Sequence, residues 1–598
     1  MLKEISLCMI VKNEENNLER CLNSVKDLVD EIIILDTGST DNTVAIAAEF
    51  NSKIFHYNWC NDFSKARNES LKHATKDFIF IMDADDELDP NDKEKFLNLK
   101  NNLDDSETIY YFQTISHLSQ AFNSYINSSI NLMPRLFKNN TKYYYKNALH
   151  EQLKSEVPLD KLKKSIIDIH IFHYGYLEDS STNKSKFNRN VSILEKQLVD
   201  EPNEPFHYFN LGNEYCSIRN FEEALKYFLI SYKDFNPSKG YSPRLIIKLI
   251  ICYYSLNKIP ECFDMIEKGL YIYPKFSDLH YIKGMILFDK HLYSQAIDEF
   301  TSCIDLGVAP PQLLYVKDAS PLKSYDMISR CYHKLNNYSK AFEFASKAIV
   351  ADPRYLLPLY NCVKIMVDDN LSTDNIESIL LSFFDNIKES SSLISNIFYM
   401  SKLYNISLKY LEIYENNFQL SEDHILLKIK LLLKLNKFTE SMHYIDLINP
   451  NSTNFFTACK LRSILYLLNS ENILAIKTIT HFSISSTTYQ QKVIKVISEA
   501  SNLLLDKKGN LICDTEDEML SDIIFEILEF FLCTHKFDEF EKLLGLLNLI
   551  DDSSVLLRLA KLYYEYGHKE MAKREIFNSI KNFDLIDKDS LELLSNCF

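Results

Sequence analysis

A change of pattern near residue 205 restricts what this chain of 598 residues can fold into. Up to about residue 115, short apolar runs typical of strands alternate with segments whose apolar residues recur at helical spacing. From residue 205 onward only the helical spacing remains, in segments of similar length. Because a chain this long needs more than one hydrophobic core, we expect an α/β part followed by separate all-helical parts.

Four apolar runs in the first part predict buried strands. They are residues 4–11, 31–35, 53–57 and 78–82, and the helices predicted between them are residues 12–25, a helix capped by Ser39 or Thr40, and residues 64–74. This alternation predicts a mostly parallel, doubly wound sheet, which binds ligands beyond the carboxyl ends of its strands. Asp36 and the pair Asp83 and Asp85 follow predicted strands, so they are candidate ligand-binding residues.

The pair Asp83 and Asp85 has the spacing of a metal site. Because side chains alternate along an extended chain, both carboxylates lie on the same side of it. Oxygen ligands of this kind suit a hard divalent cation such as Mg²⁺ or Mn²⁺, which can bridge a diphosphate and stabilise it as a leaving group. The alternative is a solvated acidic loop that begins a helix near Pro90, where acids favour the helix dipole.

Residues 206–237 closely resemble the tetratricopeptide repeat. The matching positions are Leu211, Gly212, Tyr215, Ala224, Phe228 and Pro237. A step of nine residues between a large and a small position recurs from Tyr253 to Cys262, Leu287 to Ala296, Tyr332 to Ala341, Leu432 to Ser441 and Tyr563 to Ala572. We predict such repeats over residues 205–355 and, with a drifting period, beyond residue 360. A generic helical bundle is the alternative, whereas stacked repeats would form a curved solenoid with a groove for a partner, often a peptide.

The overall composition excludes several classes of partner. The 66 lysines and arginines against 83 aspartates and glutamates give a formal charge of −17, which argues against nucleic acid or an anionic membrane surface as a partner. No uncharged apolar run approaches the ~18 residues of a membrane span, and nothing near the N-terminus has the pattern of a signal peptide. The 13 cysteines are scattered, which favours a reducing, cytoplasmic location over a disulfide framework.

Four segments occur in a fixed order within the first 90 residues: MIVKNEENNLERCL, DEIIILDTGSTDNT, WCNDFSKARNESLKHA and DFIFIMDADDELDP. Together they resemble the nucleotide-sugar half of a family 2 glycosyltransferase, and the resemblance extends over roughly residues 4–180. It is strongest to the branch that carries tetratricopeptide repeats behind the catalytic domain, which is similar to bacterial enzymes that glycosylate bacteriocin precursors or surface proteins. The resemblance implies an α/β GT-A (Rossmann-like) catalytic domain at residues 1–200, all-α tetratricopeptide repeats at 201–360 and degenerate helical repeats at 361–598.

The resemblance also assigns residues to the donor side. Family 2 enzymes invert the anomeric centre and use a nucleoside-diphosphate sugar, and we expect UDP-glucose or UDP-N-acetylglucosamine here. Val11 and Glu14 match positions that line the base and the ribose. Asp36 matches the acid that bonds the uracil, and Arg67 matches a basic residue on the nucleotide side.

The metal site is assigned in the same way. Asp83 and Asp85 match the metal-binding pair of the family, with Asp85 as the expected direct ligand of Mn²⁺ or Mg²⁺. Asp86 is the second choice for a role there and is also a candidate on the acceptor side. His173 matches a histidine that completes the metal site or binds the diphosphate, and the alternative is a packed residue of an edge strand.

An inverting transfer needs one base to take the proton of the acceptor. His150 and Glu151 are adjacent candidates. The resemblance narrowly favours Glu151 as the base, with His150 orienting it or contacting the donor sugar. Arg135 either touches the acceptor or braces the sheet.

These assignments predict a cytoplasmic, metal-dependent, inverting glycosyltransferase whose helical repeats hold a peptide or protein acceptor. The sugar is expected on Ser, Thr or Cys, and the base residues do not distinguish them, because a thiol with a pKa of about 8.5 is already partly ionised. The first alternative is an enzyme of cell-surface polysaccharide or glycolipid synthesis. The second is a repeat scaffold with an inactive catalytic domain. An alternative role for the repeats is to bind a second copy of the chain, which would form a homodimer.

Overall fold

The computed structural model describes residues 3–117, 128–158, 161–174, 180–482, 487–507 and 518–597. The chain divides into two compact units, Met1–Pro358 and Leu359–Phe598. The first unit contains both a sheet domain and the first helical repeats, and the described residues of the second unit form helices. The domain boundaries expected near residues 200 and 360 remain predictions.

The sheet domain is built on one mixed sheet with a separate hairpin. The strands of the sheet are β1 (Ile5–Val11), β2 (Glu31–Asp36), β3 (Lys53–His56), β4 (Phe78–Ile81), β5 (Asp86–Leu88), β6 (Thr108–His117), β7 (Ser128–Lys138) and β10 (Lys163–His173), and the hairpin consists of β8 (Tyr143–Lys146) and β9 (Gln152–Ser155). Their order in the sheet is β3-β2-β1-β4-β7-β6-β10-β5. Strands β1 to β4 are parallel, whereas β7 is antiparallel to β4 and β6, and β5 is antiparallel to β10. The prediction of a mostly parallel sheet therefore holds for the first half of this domain.

The four predicted strands form within one residue of their expected bounds, but two helices begin elsewhere. The helices of this domain are α1 (Leu18–Val25), α2 (Thr43–Glu49), α3 (Phe63–Lys72) and α4 (Lys93–Asn101). Helix α1 begins six residues later than predicted, after a turn in which Asn13 is left-handed, with φ at 55°. Ser39 and Thr40 do not cap α2, because the helix begins at Thr43 with Asn42 at its N-cap position. Ser39 and Thr40 lie in the preceding turn, where their backbone N–H groups donate to Asp36 and Asn13 at 3.0 and 2.8 Å.

The central strands are buried on both faces, as continuous apolar runs predict. On one face Met9 and Phe80 pack with Leu22 of α1. On the other face Cys8 and Ile81 lie in a second cluster, against which residues of α3 pack. The parallel register sets Val11 beside Asp36 at the carboxyl ends of β1 and β2, so the loops that follow these strands meet at one edge of the sheet.

Antiparallel helix pairs follow the sheet domain in the first unit. Their helices are α5 (Ser180–Asp200), α6 (Pro205–Ser217), α7 (Phe221–Lys233), α8 (Ser242–Ser255), α9 (Ile259–Ile272), α10 (Ser277–Asp289), α11 (Tyr293–Leu306), α12 (Ser324–Lys334) and α13 (Tyr338–Ala351). A side chain at Gly212 would place its Cβ 2.6 Å from the ring of Phe228, and one at Gly284 would lie 2.7 Å from Phe300. These close approaches confirm the repeat pattern read from the sequence.

Residues 307–323 interrupt the repeats between α11 and α12 and reach the sheet, which the sequence did not predict. Val316 forms an antiparallel bridge with Ser129 of β7, and the Ile130 N–H donates to the Tyr315 carbonyl at 3.0 Å. On this side of β7, strand β4 pairs only with Leu136–Lys138. The inserted residues therefore pair with the other end of the same strand.

Two charged residues of the repeats, the buried Asp278 and the partly buried Arg244, hold the insertion and β7 in place. The Asp278 carboxylate accepts the backbone N–H groups of Tyr315 and Val316, both at 2.7 Å. Arg244 donates to the Ile130 carbonyl at 2.6 Å and to Asn131 Oδ1 at 2.7 Å. The sheet and the first repeats are therefore joined by backbone pairing and by side-chain hydrogen bonds.

The second unit continues as helix pairs. Its helices are α14 (Leu357–Asp368), which begins just before it, and α15 (Thr373–Leu381), α16 (Ile387–Met400), α17 (Tyr404–Asn417), α18 (Glu422–Lys434), α19 (Phe438–Ile445), α20 (Phe455–Leu468), α21 (Asn472–Thr480), α22 (Thr488–Leu504), α23 (Glu518–Cys533), α24 (Phe537–Leu543), α25 (Val555–Glu565), α26 (Lys569–Phe583) and α27 (Lys588–Asn596). Ser441 and Ala572, the small positions predicted from the nine-residue step, are fully buried. Among the described residues, we find no helix with the length and apolarity needed to cross a membrane.

Candidate active site

The end of β2 presents a buried, ionised carboxylate. Asp36 accepts the backbone N–H groups of Gly38 and Ser39 at 3.3 and 3.0 Å, and its Oδ2 lies 3.2 Å from His56 Nδ1. Burial alone would raise the pKa of Asp36, but the hydrogen bonds from Ser39 and His56 outweigh it and lower the pKa. The structure thus shows Asp36 holding the turn at Gly38, and its contact with a uracil remains a prediction.

Val11 and Glu14 lie in the neighbouring turn after β1. The Val11 side chain is buried, and its carbonyl accepts both the backbone N–H and the hydroxyl of Thr37 at 3.0 Å. The Glu14 backbone N–H donates to Thr43 Oγ1 at 2.7 Å, and its carboxylate accepts Asn17 Nδ2 at 3.0 Å. These bonds tie the turn after β1 to the turn after β2, where the predicted nucleotide residues meet.

Asp83 lies between two buried arginines. Arg67 Nη2 donates to Asp83 Oδ1 at 2.8 Å, and Arg135 Nη1 lies 3.4 Å from Asp83 Oδ2. Burial alone would raise the pKa of Asp83, but the charges of the two guanidinium groups outweigh it and hold the pKa well below its usual range. The negative charge of Asp83 is therefore compensated within the protein.

Arg67 connects this acid to the hairpin. It is buried on α3, and its Nε donates to Glu151 Oε1 at 2.8 Å. Among the described residues, the buried Nη1 of the same guanidinium has no hydrogen-bond acceptor. A buried donor of this kind is suited to an anionic ligand such as a phosphate.

Asp85, Asp86 and His173 form a group whose ligand atoms all lie within 4.8 Å of one another. His173 Nδ1 is 2.9 Å from Asp86 Oδ1 and 3.5 Å from Asp85 Oδ1. Burial, reinforced by neighbouring carboxylates, raises the pKa of Asp85 to about 6. Burial alone would lower the pKa of His173, but the hydrogen bond to Asp86 and the charge of Asp85 outweigh it and raise the pKa to about 9.

This group fits a hard divalent cation. Two carboxylates and an imidazole are donors that Mn²⁺ and Mg²⁺ accept, and a cation would stabilise the ionised form of the partly buried Asp85. The structure brings Asp85 and His173 together as the resemblance implied and adds Asp86. Asp83, the other predicted ligand, is not in this group and pairs with the arginines instead.

The short turn from Asp83 to Asp86 brings these carboxylates together. The Asp83 N–H donates to Asp86 Oδ2 at 2.9 Å, and the Asp86 N–H donates to the Asp83 carbonyl at 3.1 Å. Asp86 then begins β5 and pairs with His173 in the antiparallel register of β5 and β10. The sequence pattern pointed to Asp83 and Asp85, whereas the partner of His173 is set by this pairing between distant strands.

Arg135 and Asp86 are buried beneath the site. The Asp86 side chain is 0% exposed, and Arg135 Nη2 lies 3.0 Å from its Oδ2. Arg135 also bonds the Ile81 carbonyl at 3.3 Å and Thr114 Oγ1 at 3.4 Å. Of the two roles predicted for Arg135, these contacts favour the one in which it braces the sheet over the one in which it touches an acceptor. For Asp86 the burial likewise places the carboxylate under the surface that an acceptor would reach.

The two base candidates lie at the tip of the β8–β9 hairpin. Glu151 is mostly buried against Arg67. The His150 side chain is 40% exposed, its backbone is left-handed with φ at 52°, and its Nε2 lies 3.4 Å from Glu214 Oε1 on α6. Glu214 gave no signal in the sequence, because it sits within a repeat that reads as purely structural.

The comparisons with known proteins agree with this architecture. Residues 6–152 match the model of the family described as "Glycosyl transferase family 2", so the N-terminal part of the chain is a family 2 glycosyltransferase domain. A TPR repeat-containing protein of Synechococcus elongatus is 32% identical over 45% of this chain and 66% of its own length. The SPbeta prophage-derived glycosyltransferase SunS of Bacillus subtilis is 30% identical over 47% of this chain and 66% of its own length.

The chain spans just under two thirds of the length of these curated relatives. A solved structure of glucosyl-3-phosphoglycerate synthase from Mycobacterium tuberculosis, in complex with Mg²⁺ and UDP, is 22% identical over 18% of this chain and 44% of that protein. Its TM-score is 0.17, so this likeness carries no argument. The GT-A domain followed by tetratricopeptide-like helices therefore rests on the family match, on the relatives and on the fold itself.

Proposed function

We propose that the protein transfers a sugar from a UDP-sugar to a side chain of a peptide or protein. The proposal is carried by two features that lie together at one edge of a family 2 domain. One is a group of two carboxylates and an imidazole, and the other is a buried guanidinium with an N–H that has no acceptor among the described residues. Asp85, Asp86 and His173 offer the first, and Arg67 offers the second. Together they are suited to a diphosphate held through a cation and an arginine.

Asp85, Asp86 and His173 would hold Mn²⁺ or Mg²⁺. When bound there, the cation would supply positive charge to the leaving diphosphate. Arg67 would donate Nη1–H to a phosphate oxygen while it keeps Asp83 ionised. Asp36, Val11 and Glu14 would receive the uridine at the adjoining turns.

The transfer itself is proposed to invert the anomeric carbon. An acceptor oxygen or sulfur attacks that carbon in line with the leaving diphosphate, and a base at the hairpin tip removes the acceptor proton. His150 and Glu151 are the two groups at that position.

The acceptor is proposed to be a peptide or protein because repeats of this type form extended surfaces that bind peptides. The attacking group would be a Ser or Thr hydroxyl or a Cys thiol. The cytoplasmic location is proposed from the scattered cysteines. The joining of the sheet and the first repeats through Tyr315 and Val316 supports one functional unit rather than a catalytic domain on a tether.

The first experiment measures nucleotide release from a panel of UDP- and GDP-sugars by the full-length protein, with Mn²⁺, Mg²⁺ or a chelator. We expect release from one UDP-sugar that requires the metal. Calorimetry with UDP and Mn²⁺ accompanies it, because a transferase that hydrolyses slowly still binds the nucleotide. Failure to bind UDP in the presence of metal would overturn the proposal in favour of an inactive scaffold.

A second experiment tests the acceptor. The selected UDP-sugar is offered with a library of Cys-, Ser- and Thr-containing peptides, and with glycan and lipid acceptors, and the products are read by mass spectrometry. A mass increase of one sugar on a peptide is the expected result. Transfer to the glycan or lipid acceptors alone would assign the enzyme to polysaccharide or glycolipid synthesis.

A further inference from the structure

The tip of the β8–β9 hairpin is held from two sides. On the side of the sheet domain, Asn68 and Tyr145 exchange two hydrogen bonds at 2.8 and 2.7 Å, and the Phe63 N–H donates to the Ala148 carbonyl at 2.8 Å. These contacts come from α3, the helix that also carries Arg67. One flank of the hairpin is therefore fixed to the nucleotide side of the domain.

The other flank of the tip packs on the helical repeats. Leu149 is buried in a cluster with Ile193 and Leu194 of α5 and Leu211 of α6. Burial of a leucine of this kind stabilises a contact by about 1.5–3 kcal/mol. The position of the tip therefore depends on α5 and on α6, the first repeat helix, as well as on α3.

The backbone of the tip directs His150 to the repeats. Asn147 and His150 both have left-handed φ, at 81° and 52°, a conformation uncommon for residues other than glycine. His150 Nε2 lies 3.4 Å from Glu214 Oε1. The Glu214 side chain is only 11% exposed, and its other oxygen accepts Asn190 Nδ2 at 3.2 Å. The Glu214 carboxylate is thus fixed by hydrogen bonding, and Arg189, beside Asn190, is a further charged group near it.

Glu151, the neighbouring candidate base, already has a partner. Its Oε1 accepts the Nε–H of Arg67 at 2.8 Å. A proton placed on Glu151 would disturb this pair and leave a buried guanidinium with one fewer partner. His150 does not pair with Arg67, and its side chain is more exposed than that of Glu151.

We propose that His150 is the base that takes the acceptor proton, and that Glu214 of the helical repeats is its positioning residue. The proposal rests on the proposed function. A carboxylate next to Nε2 favours the imidazole tautomer with its proton on that nitrogen, which leaves the lone pair on Nδ1 to accept a proton. Histidine–carboxylate pairs also orient catalytic imidazoles in unrelated enzymes, where the carboxylate binds Nδ1–H and Nε2 is the base; here the two nitrogens would exchange these roles.

The acceptor oxygen or sulfur forms a bond to the anomeric carbon, and the bond from that carbon to the diphosphate oxygen breaks. The electron pair of the broken bond leaves with the diphosphate. The proton of the acceptor passes to His150 Nδ1, and Glu214 stabilises the resulting imidazolium through Nε2–H. The first repeats thus contribute a residue to catalysis and do more than hold the acceptor.

The test compares the full-length Glu214→Gln and Glu223→Gln variants. Glu223 is a matched control, because it lies on α7 with its side chain 40% exposed and pairs with Lys226 on the same helix. We expect Glu214→Gln to lower kcat for transfer by about 10- to 100-fold, with KM for the donor and calorimetric binding of UDP and Mn²⁺ unchanged. Glu223→Gln is expected to match the unchanged protein. Equal kcat in all three proteins would overturn the assignment.

A double-mutant cycle shows whether Glu214 acts through His150. If it does, Glu214→Gln adds no further loss to a His150→Gln variant, whereas independent roles would multiply the two losses and overturn the pairing. If Glu151 is the base, Glu151→Gln abolishes transfer while His150→Gln retains most of it, which would also overturn the proposal. If the unchanged protein binds no UDP, the proposed function itself has failed, and this result is separate from the cycle.

Nuclear magnetic resonance of ¹⁵N-labelled histidine gives a reading that does not depend on activity or on the folding of a Glu214 variant. The signal of His150 is the one that disappears in His150→Gln. At a pH where the ring is neutral, we expect the proton on Nε2 in the unchanged protein. A proton on Nδ1 would overturn the role of Glu214, because the carboxylate would then face a nitrogen without a proton.

Discussion

Two clusters of the same composition lie near β5 and β10, and they have different neighbours. One consists of Asp85, Asp86 and His173, and the other of Asp89, Asp92 and His170. In the second cluster, the Asp92 carboxylate lies 2.8 Å from Lys95 Nζ and accepts the backbone N–H of His170 at 2.8 Å, with His170 Nδ1 at 2.7 Å. Burial alone would raise the pKa of Asp92, but these partners outweigh it and lower the pKa.

The first cluster differs at Asp85. Its Asp86 pairs with Arg135 at 3.0 Å, but among the described residues neither lysine nor arginine pairs with Asp85, which faces His173 Nδ1 at 3.5 Å. Burial raises the pKa of Asp85 to about 6. The comparison teaches that two acids and a histidine can have different electrostatic surroundings, and that the first cluster is the one with a carboxylate left without a lysine or arginine partner.

The largest effect is expected from substitution of Asp85, and it tests whether the two clusters differ in metal binding. Asp85→Asn removes a ligand charge from the first cluster and is expected to lower metal-dependent turnover about 100- to 1,000-fold. Thermal unfolding and turnover are measured together. Asp89→Asn in the second cluster is the control and is expected to retain turnover. Full activity in Asp85→Asn, or an equal loss in both variants, would contradict the assignment of the metal to the first cluster.

The next effect is the pH dependence of metal binding at the first cluster. His173 has its pKa raised to about 9, so it is protonated at neutral pH and must lose that proton to ligate a cation. Asp85, with a pKa of about 6, must be ionised. Affinity for Mn²⁺ should therefore rise as pH increases from 6 to 9, by up to about tenfold per pH unit for one released proton.

Calorimetry in buffers of different ionisation enthalpy counts the protons released on binding. His173→Gln should bind Mn²⁺ more weakly and with a flatter pH dependence above pH 7. An affinity that does not change between pH 6 and 9 in the unchanged protein would show that His173 is not a ligand.

A smaller effect is expected in the second cluster, on stability rather than on metal binding. Asp92→Asn removes the charge from a buried group with three donors and is expected to lower the free energy of unfolding by about 1–3 kcal/mol. Denaturant unfolding measures this change. Affinity for Mn²⁺ should stay as in the unchanged protein, and a loss of that affinity would mean that the two clusters act as one site.

The smallest effect is expected from a substitution at Lys95, which would remove the lysine that distinguishes the second cluster from the first. Lys95 is 47% exposed, so Lys95→Met should change the free energy of unfolding by no more than about 1 kcal/mol. It should, however, give the second cluster a weak Mn²⁺ site, detected by titration as a second, low-affinity binding event. If no second event occurs, the lysine is not what separates the two clusters.

The sequence predicted the first half of the sheet because its strands are buried on both faces. Runs such as residues 78–82 are apolar throughout, and their short length between polar segments favours a buried strand over a helix. Strand β10 was not among the predicted strands, because Lys163–His173 begins with three polar residues and has no continuous apolar run, and only Ile169 and Ile171 are fully buried. The repeats were predicted where helix pairs need a small residue, and Gly212 shows why, since any side chain there would meet Phe228.

The candidate site was predictable where it follows strand ends and not where it depends on contacts between distant segments. Asp36, Asp83 and Asp85 directly follow strands, so their common edge could be inferred. The burial of Asp86 against Arg135, by contrast, depends on the turn after β4 and on the pairing of β5 with β10. The contact of His150 with Glu214 joins the hairpin to a repeat helix, and no local sequence pattern predicts it.

The pairing of β7 with Tyr315 and Val316 has a consequence for the order in which the chain is made. Ribosomes add about 5–20 residues per second, so this end of β7 waits about 10–40 s for its partner after Ile130 has been added. An unpaired strand edge is a template for wrong association during that interval. The nascent sheet is completed only when the first repeats have emerged, and a chain cut between the two would carry an open β edge into its surroundings.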